Sequence, residues 1–178
     1  MQVKGFSLIE IMVTLALVAI LATVAVPNFF SFVQNNRMGG WSNTLLLDLY
    51  YARSEAVSRG NNVILCPKTT TNTCDLVTQK DWSLGWIIFA DTNADGIMTA
   101  DETLKIQEAL PVGANLSRNV NTVLAGRITY TSRSTITPTA NTGNFTLCDS
   151  VAGNKVTGRT LTISSIGKVQ VEEKKDCV

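Results

Sequence analysis

Histidine is absent from this chain of 178 residues. Its absence excludes Ser-His-Asp and Cys-His catalysis and removes the ligands of most catalytic zinc sites. No side chain is left whose ordinary pKa lies near neutrality. A nucleophile motif of the G-x-S-x-G type is also missing. Catalysis by a Ser-Lys pair or by cysteine alone is an alternative, but the composition disfavours an enzyme.

Charged residues are few, at 16% of the chain. The 15 Lys and Arg residues nearly balance the 14 Asp and Glu residues, which leaves a net charge of +1. This balance provides no global field that would recruit nucleic acid or an anionic membrane. The length suits one domain of ordinary size.

The longest hydrophobic run lies near the N-terminus. Glu10 is the only charged side chain between residues 6 and 36, and residues 11–26 are apolar apart from two threonines. As a helix, this run is long enough to span about 30 Å of hydrocarbon. A cleaved secretory signal is disfavoured because an acidic residue stands at the head of the apolar core. A plain membrane anchor leaves Glu10 unexplained, since an unpaired charge there costs roughly 2.5–3.5 kcal/mol.

Residues 5–10 read GFSLIE and resemble the processing site of type IV prepilins and pseudopilins. The resemblance implies that a prepilin peptidase cleaves after Gly5 and that Phe6 becomes an N-methylated first residue. It implies that Glu10 partners an ammonium group in the apolar core of a filament, where a lone carboxylate would be unfavourable. It also implies an inner-membrane protein with a single span and a periplasmic head, which later joins a pilus at the cell surface.

Behind the apolar run, the pattern predicts that the helix continues to residue 59. Hydrophobic residues recur at spacings of three and four from Trp41 to Ala56. Gly60 is a typical C-terminal stop. We therefore expect a leader over 1–5, a transmembrane or filament-core half over 6–29, an amphipathic half over 30–59 and a globular head over 60–178.

From residue 60 the chain consists of short runs rich in Thr, Val and Ile, bounded by Gly, Asn, Asp or Pro. Strands are predicted at 63–66, 86–90, 104–110, 114–120, 127–131, 144–148, 159–164 and 168–171. The Ser-Ile-Gly sequence between the last two predicts a hairpin turn. One helix followed by many strands predicts an α+β fold, in which the long helix packs on an antiparallel sheet as in type IV pilins.

The four cysteines are Cys66, Cys74, Cys148 and Cys177. They lack the closely spaced pairs that zinc sites use. Four cysteines allow three disulfide connectivities, and four reduced thiols are the alternative. We predict a Cys66–Cys74 bond that closes a small loop and a Cys148–Cys177 bond that holds the C-terminal tail, because an exported head lies in the oxidising periplasm.

Residues 91–102 match the calcium-loop pattern D-x-[DN]-x-[DN]-G-x₅-E without a mismatch. Asp91, Asn93, Asp95 and Glu102 would supply the ligand oxygens. However, a predicted strand precedes the loop where an EF-hand has a helix, and Asp, Asn and Gly at these positions also form a turn without any metal. We predict a hairpin turn and no cofactor, with calcium as the alternative.

Further segments resemble the minor pilins and pseudopilins called FimT, FimU and GspH. These segments are 52–57, 63–67, 85–96, 145–149, 159–163 and 167–168. Some FimT proteins are DNA receptors with a basic Gly-Arg-x-Arg element. The matching stretch here reads GKVQ, so Gln170 replaces the second basic residue, and acidic residues follow. The sequence therefore disfavours DNA binding by Arg159 and Lys168.

The resemblance implies a structural minor pilin that lies at or near the tip of a type IV pilus and primes its assembly. Adhesion, twitching motility or DNA uptake would be downstream roles. The implied partners are other minor pilins, the major pilin, the prepilin peptidase and the inner-membrane assembly platform. The paired cysteines favour the pilus members of the group. The alternatives are a GspH-like minor pseudopilin of type II secretion, a FimT-like DNA receptor and a membrane-anchored enzyme.

Overall fold

The computed structural model describes residues 5–74, 81–119, 126–137, 143–149 and 158–174. The chain divides into two compact units, Met1–Asn36 and Arg37–Val178. We call them the N-terminal unit and the head unit and describe each by itself. The helix α1, Leu8–Arg59, contributes to both units. It begins two residues later than the sequence predicted and ends at the predicted residue.

In the N-terminal unit, most apolar side chains of α1 that the structure describes are exposed. Among the exposed large apolar residues of α1 in this unit, the exposed fraction runs from 49% at Ile11 to 76% at Leu8. Phe6, just before the helix, is 81% exposed. A helix that is apolar on all sides needs an apolar environment to cover it. Within the part of the chain that the structure describes, no helix combines the length and apolarity needed to cross a membrane. The span expected over 6–29 is therefore not confirmed.

In the head unit, the predicted amphipathic stripe is buried. Leu45 is 1% exposed, and Leu49, Ala52 and Ala56 are fully buried. The helix ends where Gly60 adopts a φ of +70° and its N–H donates to the Ala56 carbonyl at 3.1 Å. A positive φ favours glycine because it has no Cβ, so the predicted stop is confirmed.

In the described part of the chain eight strands follow the helix, one for each strand that the sequence predicted. They are β1 Asn62–Pro67, β2 Trp86–Asp91, β3 Thr103–Gln107, β4 Ala114–Asn119, β5 Ile128–Tyr130, β6 Gly143–Asp149, β7 Gly158–Ile163 and β8 Val169–Lys174. They form two four-stranded sheets, a division that the sequence did not specify. Sheet one has the order β3-β2-β1-β5 and sheet two has the order β4-β6-β7-β8. Neighbouring strands in both sheets are antiparallel.

Strand β3 ends three residues earlier than predicted. The N–H of Leu110 donates to the Ser83 carbonyl at 2.9 Å, which draws the chain out of the ladder with β2. Gly85 explains how closely these segments approach. A Cβ on Gly85 would lie 2.1 Å from the Gln107 carbonyl oxygen, and its φ is +96°. This position therefore requires glycine.

The main hydrophobic core lies between the buried stripe of α1 and one face of each sheet. Its buried residues include Leu49, Leu65, Trp86, Phe145 and Leu161. Trp82 and Phe145 meet edge to face, with ring centroids 4.8 Å apart. The α+β fold with a helix packed on antiparallel sheet is thus confirmed.

The opposite face of sheet one carries a second, smaller cluster. It consists of Ile64, Cys66, Ile87 and Phe89. Met98, from the connection between β2 and β3, packs against it, as does Cys74. We call this side the outer face of sheet one, and residues 92–102 the acidic loop. Since Ile87 and Phe89 are fully buried, both faces of β2 are covered.

Candidate functional site

The predicted processing site lies just before the helix. Gly5 precedes α1, and apart from its chain neighbours no heavy atom of the described residues lies within 4 Å of the place that a Cβ on it would occupy. Phe6 is 81% exposed. The Ser7 carbonyl accepts hydrogen bonds from the N–H groups of Glu10 at 3.1 Å and Ile11 at 3.2 Å, which closes the first helical turn. The Gly5–Phe6 peptide bond therefore lies just outside the helix.

Glu10 lies in the first turn of α1 with an exposed side chain. A carboxylate is favourable there because it faces the positive end of the helix dipole. Glu10, Phe6, Ile11 and Thr14 line a shallow cleft of about 210 Å³. The structure thus brings Phe6 and Glu10 to one place. Cleavage and methylation themselves stay predictions.

Glu102 is the anchor of the acidic loop. Its Oε1 accepts hydrogen bonds from the Thr92 N–H at 2.9 Å and the Thr92 hydroxyl at 2.6 Å. Its Oε2 accepts one from the Thr99 hydroxyl at 2.8 Å. These bonds favour the ionised carboxylate, so they lower the pKa of Glu102 to about 2 although desolvation opposes them. Glu102 thus ties the end of β2 to the start of β3.

The other predicted calcium ligands also hold the loop together. One oxygen of Asp91 accepts from the Gly96 N–H at 3.1 Å. Asp95 accepts from the Ile97 N–H at 2.7 Å and from the Asn93 amide at 2.8 Å. These are the bonds of a turn built on Asx side chains, and β2 and β3 pair as the predicted hairpin. Across the described residues, no group of three or more His, Cys, Asp or Glu side chains is placed to hold a metal ion.

Of the predicted disulfides, Cys66–Cys74 is present. It joins β1 to the loop that follows it, and Cys66 is fully buried on the outer face of sheet one. Cys148, on β6, is also disulfide-bonded. Cys177 lies outside the described residues, so the Cys148–Cys177 pairing stays a prediction.

The two residues considered for nucleic acid do not come together. Arg159 pairs with Glu173 across β7 and β8 at 3.2 Å, whereas Lys168 lies in the turn at the other end of this hairpin. The Arg159 side chain is only 15% exposed. A guanidinium that is mostly buried and neutralised by a carboxylate is a poor contact for phosphate.

Sequence reasoning missed Asp48, which is only 2% exposed on the packed side of α1. It accepts hydrogen bonds from Trp86 Nε1 at 2.9 Å and from Lys105 Nζ at 2.5 Å. Its position three residues after Leu45 and one before Leu49 places it on the buried stripe. This position in the hydrophobic stripe is the sequence signal that could have predicted the burial of Asp48.

Arg118 is a second buried charge that the sequence analysis did not identify. It is 1% exposed, donates from Nη1 to the Arg127 carbonyl at 2.7 Å and lies over the Phe145 ring at 5.6 Å. Desolvation lowers the pKa of Arg118 to about 10, and an electrostatic interaction with the nearby Tyr130 hydroxyl opposes this shift. The alternation of side chains along β4 indicated its burial, because Arg118 lies two residues after Leu116 and therefore shares its inward face.

A long N-terminal helix that packs on antiparallel sheet is the fold of type IV pilins. Residues 42–167 match the family model described as type II transport protein GspH. Residues 1–26 match the prokaryotic N-terminal methylation motif. The chain belongs to the GspH family. It is a minor pilin or pseudopilin, a structural protein and not an enzyme.

Two solved structures share the fold. Both are crystal structures of the type IV minor pilin FimU from Pseudomonas aeruginosa, in two space groups. The first is 22% identical with a TM-score of 0.57, covering 83% of this chain and 99% of that one. The second is 23% identical with a TM-score of 0.53, covering 76% of this chain and 96% of that one. Membership of the family implies association with other pilins in a pilus or pseudopilus.

Proposed function

We propose that this chain is a minor pilin that enters a type IV pilus at or near its tip and primes assembly. The observation that carries the proposal is the exposed apolar surface of the N-terminal unit, most of which lies within the match to the methylation motif. Exposed apolar patches of such extent are unfavourable in water and mark interaction surfaces. A helix of this kind suits the core of a filament built from similar helices.

Before assembly, the same apolar surface holds the chain in the inner membrane, with the head in the periplasm. The methylation motif and the family support this location. The prepilin peptidase removes residues 1–5, and Phe6 is methylated. Glu10 then partners an ammonium group inside the filament, which offsets the cost of burying its carboxylate.

Within the pilus, the partners are other minor pilins and the major pilin, delivered through the inner-membrane assembly platform. The Cys66–Cys74 bond supports the pilus assignment, because the resemblance links paired cysteines to the pilus members of the group. The name of the FimU structures, type IV minor pilin, agrees with it. Adhesion, twitching motility and DNA uptake are roles that such a filament would serve.

The second candidate function is a minor pseudopilin of a type II secretion system. The description of the matching family model, a type II transport protein, favours it. A DNA-receptor role has less support, since Arg159 is already paired with Glu173.

Deletion of the gene in its host tests the proposal. Surface pili should be lost or reduced while secretion through a type II system continues. The wild-type gene and a Thr14→Ala variant should restore pili, whereas Glu10→Ala should not. Thr14 is a matched control because it lines the same cleft as Glu10 and carries no charge. Lost secretion with normal pili would support the pseudopilin, and no defect in either would refute an assembly role.

A further inference from the structure

A cleft of about 210 Å³ opens on the outer face of sheet one, beside the acidic loop. The register explains its position. Ile64 on β1 lies opposite Thr129 on β5, and Asp91 at the end of β2 points to the same face as Phe89 and Ile87. Met98 covers the neighbouring cluster but does not line this end of the sheet. The cleft therefore has a floor of strand residues and a wall formed by the acidic loop.

Arg127 lines the cleft with few partners for its guanidinium. Its Nη1 reaches the Gly96 carbonyl at 3.5 Å, and its buried Nε has no hydrogen-bond partner in the described structure. A guanidinium has five donor hydrogens, so the described residues use little of its hydrogen-bonding capacity. Gly96 makes this placement possible. A Cβ on Gly96 would lie 2.9 Å from Nη1, and the φ of Gly96 is +68°.

Two carboxylates, Asp91 and Asp95, line the same cleft. Asp91 is only 6% exposed, and a single hydrogen bond, from the Gly96 N–H, reaches its side chain among the described residues. The salt bridges of the described residues do not include Arg127, so both carboxylates lie more than 4.0 Å from its nitrogens. The Arg127 guanidinium and the two carboxylates thus line the same cleft without forming an ion pair with each other.

We propose that this cleft binds a small zwitterion of the free amino acid class. The carboxylate of the ligand pairs with Arg127, and its ammonium group pairs with Asp91 and Asp95. Ile64 and Ala94 contact the carbon atoms between the two charges. A simple anion would meet two carboxylates and a simple cation would meet the guanidinium, whereas a zwitterion satisfies both ends. The volume suits a ligand of about one residue, below the range of drug-sized pockets. This proposal goes beyond assembly and does not depend on it.

Calorimetric titration of the full chain in detergent micelles at low salt tests the proposal. The probes are the standard amino acids and an ω-amino acid series of glycine, β-alanine, 4-aminobutyrate and 6-aminohexanoate, whose charges lie progressively farther apart. Propionate and propylamine are the matched controls that carry a single charge. We expect at least one zwitterion to bind in the millimolar range or more tightly and the two controls to bind at least about tenfold more weakly.

Variants locate the site. Arg127→Gln and Asp95→Asn should each weaken binding by about tenfold or more, whereas Arg133→Gln, at an exposed arginine in a nearby turn, should leave it unchanged. Thermal unfolding of each variant shows whether it is folded, and the uncharged Arg127→Met is the second choice if Arg127→Gln is not. Failure of every zwitterion to bind the wild type would overturn the proposal. So would equal binding of the single-charge controls, or undiminished binding by a folded Arg127 variant.

Discussion

Replacing Asp48 by alanine removes the carboxylate that joins α1 to two strands of sheet one. In the native head, Asp48 Oδ2 accepts from Trp86 Nε1 on β2 and Oδ1 accepts from Lys105 Nζ on β3. Asp48 and Trp86 are almost completely buried. Alanine at this position leaves the indole N–H without an acceptor in a site closed to water.

The loss in free energy of unfolding depends on how exposed Trp86 and Lys105, the two donors to Asp48, are to solvent. A buried donor that loses its acceptor costs about 1–3 kcal/mol. Lys105 is 41% exposed, so water rehydrates its ammonium group and the lost ion pair adds only about 0–1 kcal/mol. We therefore expect Asp48→Ala to lower the free energy of unfolding by about 1–4 kcal/mol. Since about 1 kcal/mol shifts the melting temperature by roughly 2–4 °C in a domain of this size, the shift should be easy to measure.

The assay is denaturant unfolding of a fragment comprising residues 30–178, followed by the fluorescence of its buried tryptophans. Asp48→Asn is the informative comparison, because its amide oxygen still accepts from Trp86 Nε1 while the charge is gone. Asp48→Asn should cost less than Asp48→Ala because Trp86 Nε1 keeps its acceptor, although the amide NH2 takes the place of the oxygen that accepts from Lys105 Nζ. Ser54→Ala, at an exposed position of the same helix, is the control and should change little. If Asn proves as damaging as Ala, or if Ala costs nothing, the assigned hydrogen bond is not what stabilises this contact.

Three further predictions concern the N-terminus, the acidic loop and the C-terminal tail. Intact mass of the purified protein should show cleavage between Gly5 and Phe6 plus one methyl group; a mature N-terminus beyond the apolar segment would contradict the pilin assignment. The folded-state pKa of Glu102 is about 2 against an ordinary 4.5, so its stabilising effect is complete above about pH 4.5 and lost as the pH falls toward 2. The difference in melting temperature between wild type and Glu102→Gln should shrink over that range, and millimolar calcium should shift neither protein; a calcium-dependent rise in the wild type alone would establish a metal site. Peptide mapping without reductant should find Cys148 bonded to Cys177, and a free thiol at Cys177 would rule the pairing out.

The local sequence determined those structural elements that depend on interactions within a single turn or strand. The end of α1 followed from Gly60, whose positive φ is readily adopted by glycine. The β7–β8 hairpin followed from a short turn flanked by alternating residues, and the β2–β3 hairpin from Asp and Gly turn chemistry. The processing motif is also local, because a peptidase reads consecutive residues. For these features, neighbouring residues supply nearly all of the deciding interactions.

Only the tertiary structure decided how the strands divide into two sheets and which polar groups are buried. The pairing of β1 with β5 joins segments about sixty residues apart, and no local pattern specifies such a partner because many runs are equally suited to pairing. Asp48 is a buried hydrogen-bond acceptor because Trp86 and Lys105 donate to it from strands that are distant in sequence. Likewise, Arg127 faces Asp91 across a cleft only because the acidic loop folds over the outer face of sheet one. A charge is stable inside a protein when partners converge on it, and that convergence depends on the whole fold.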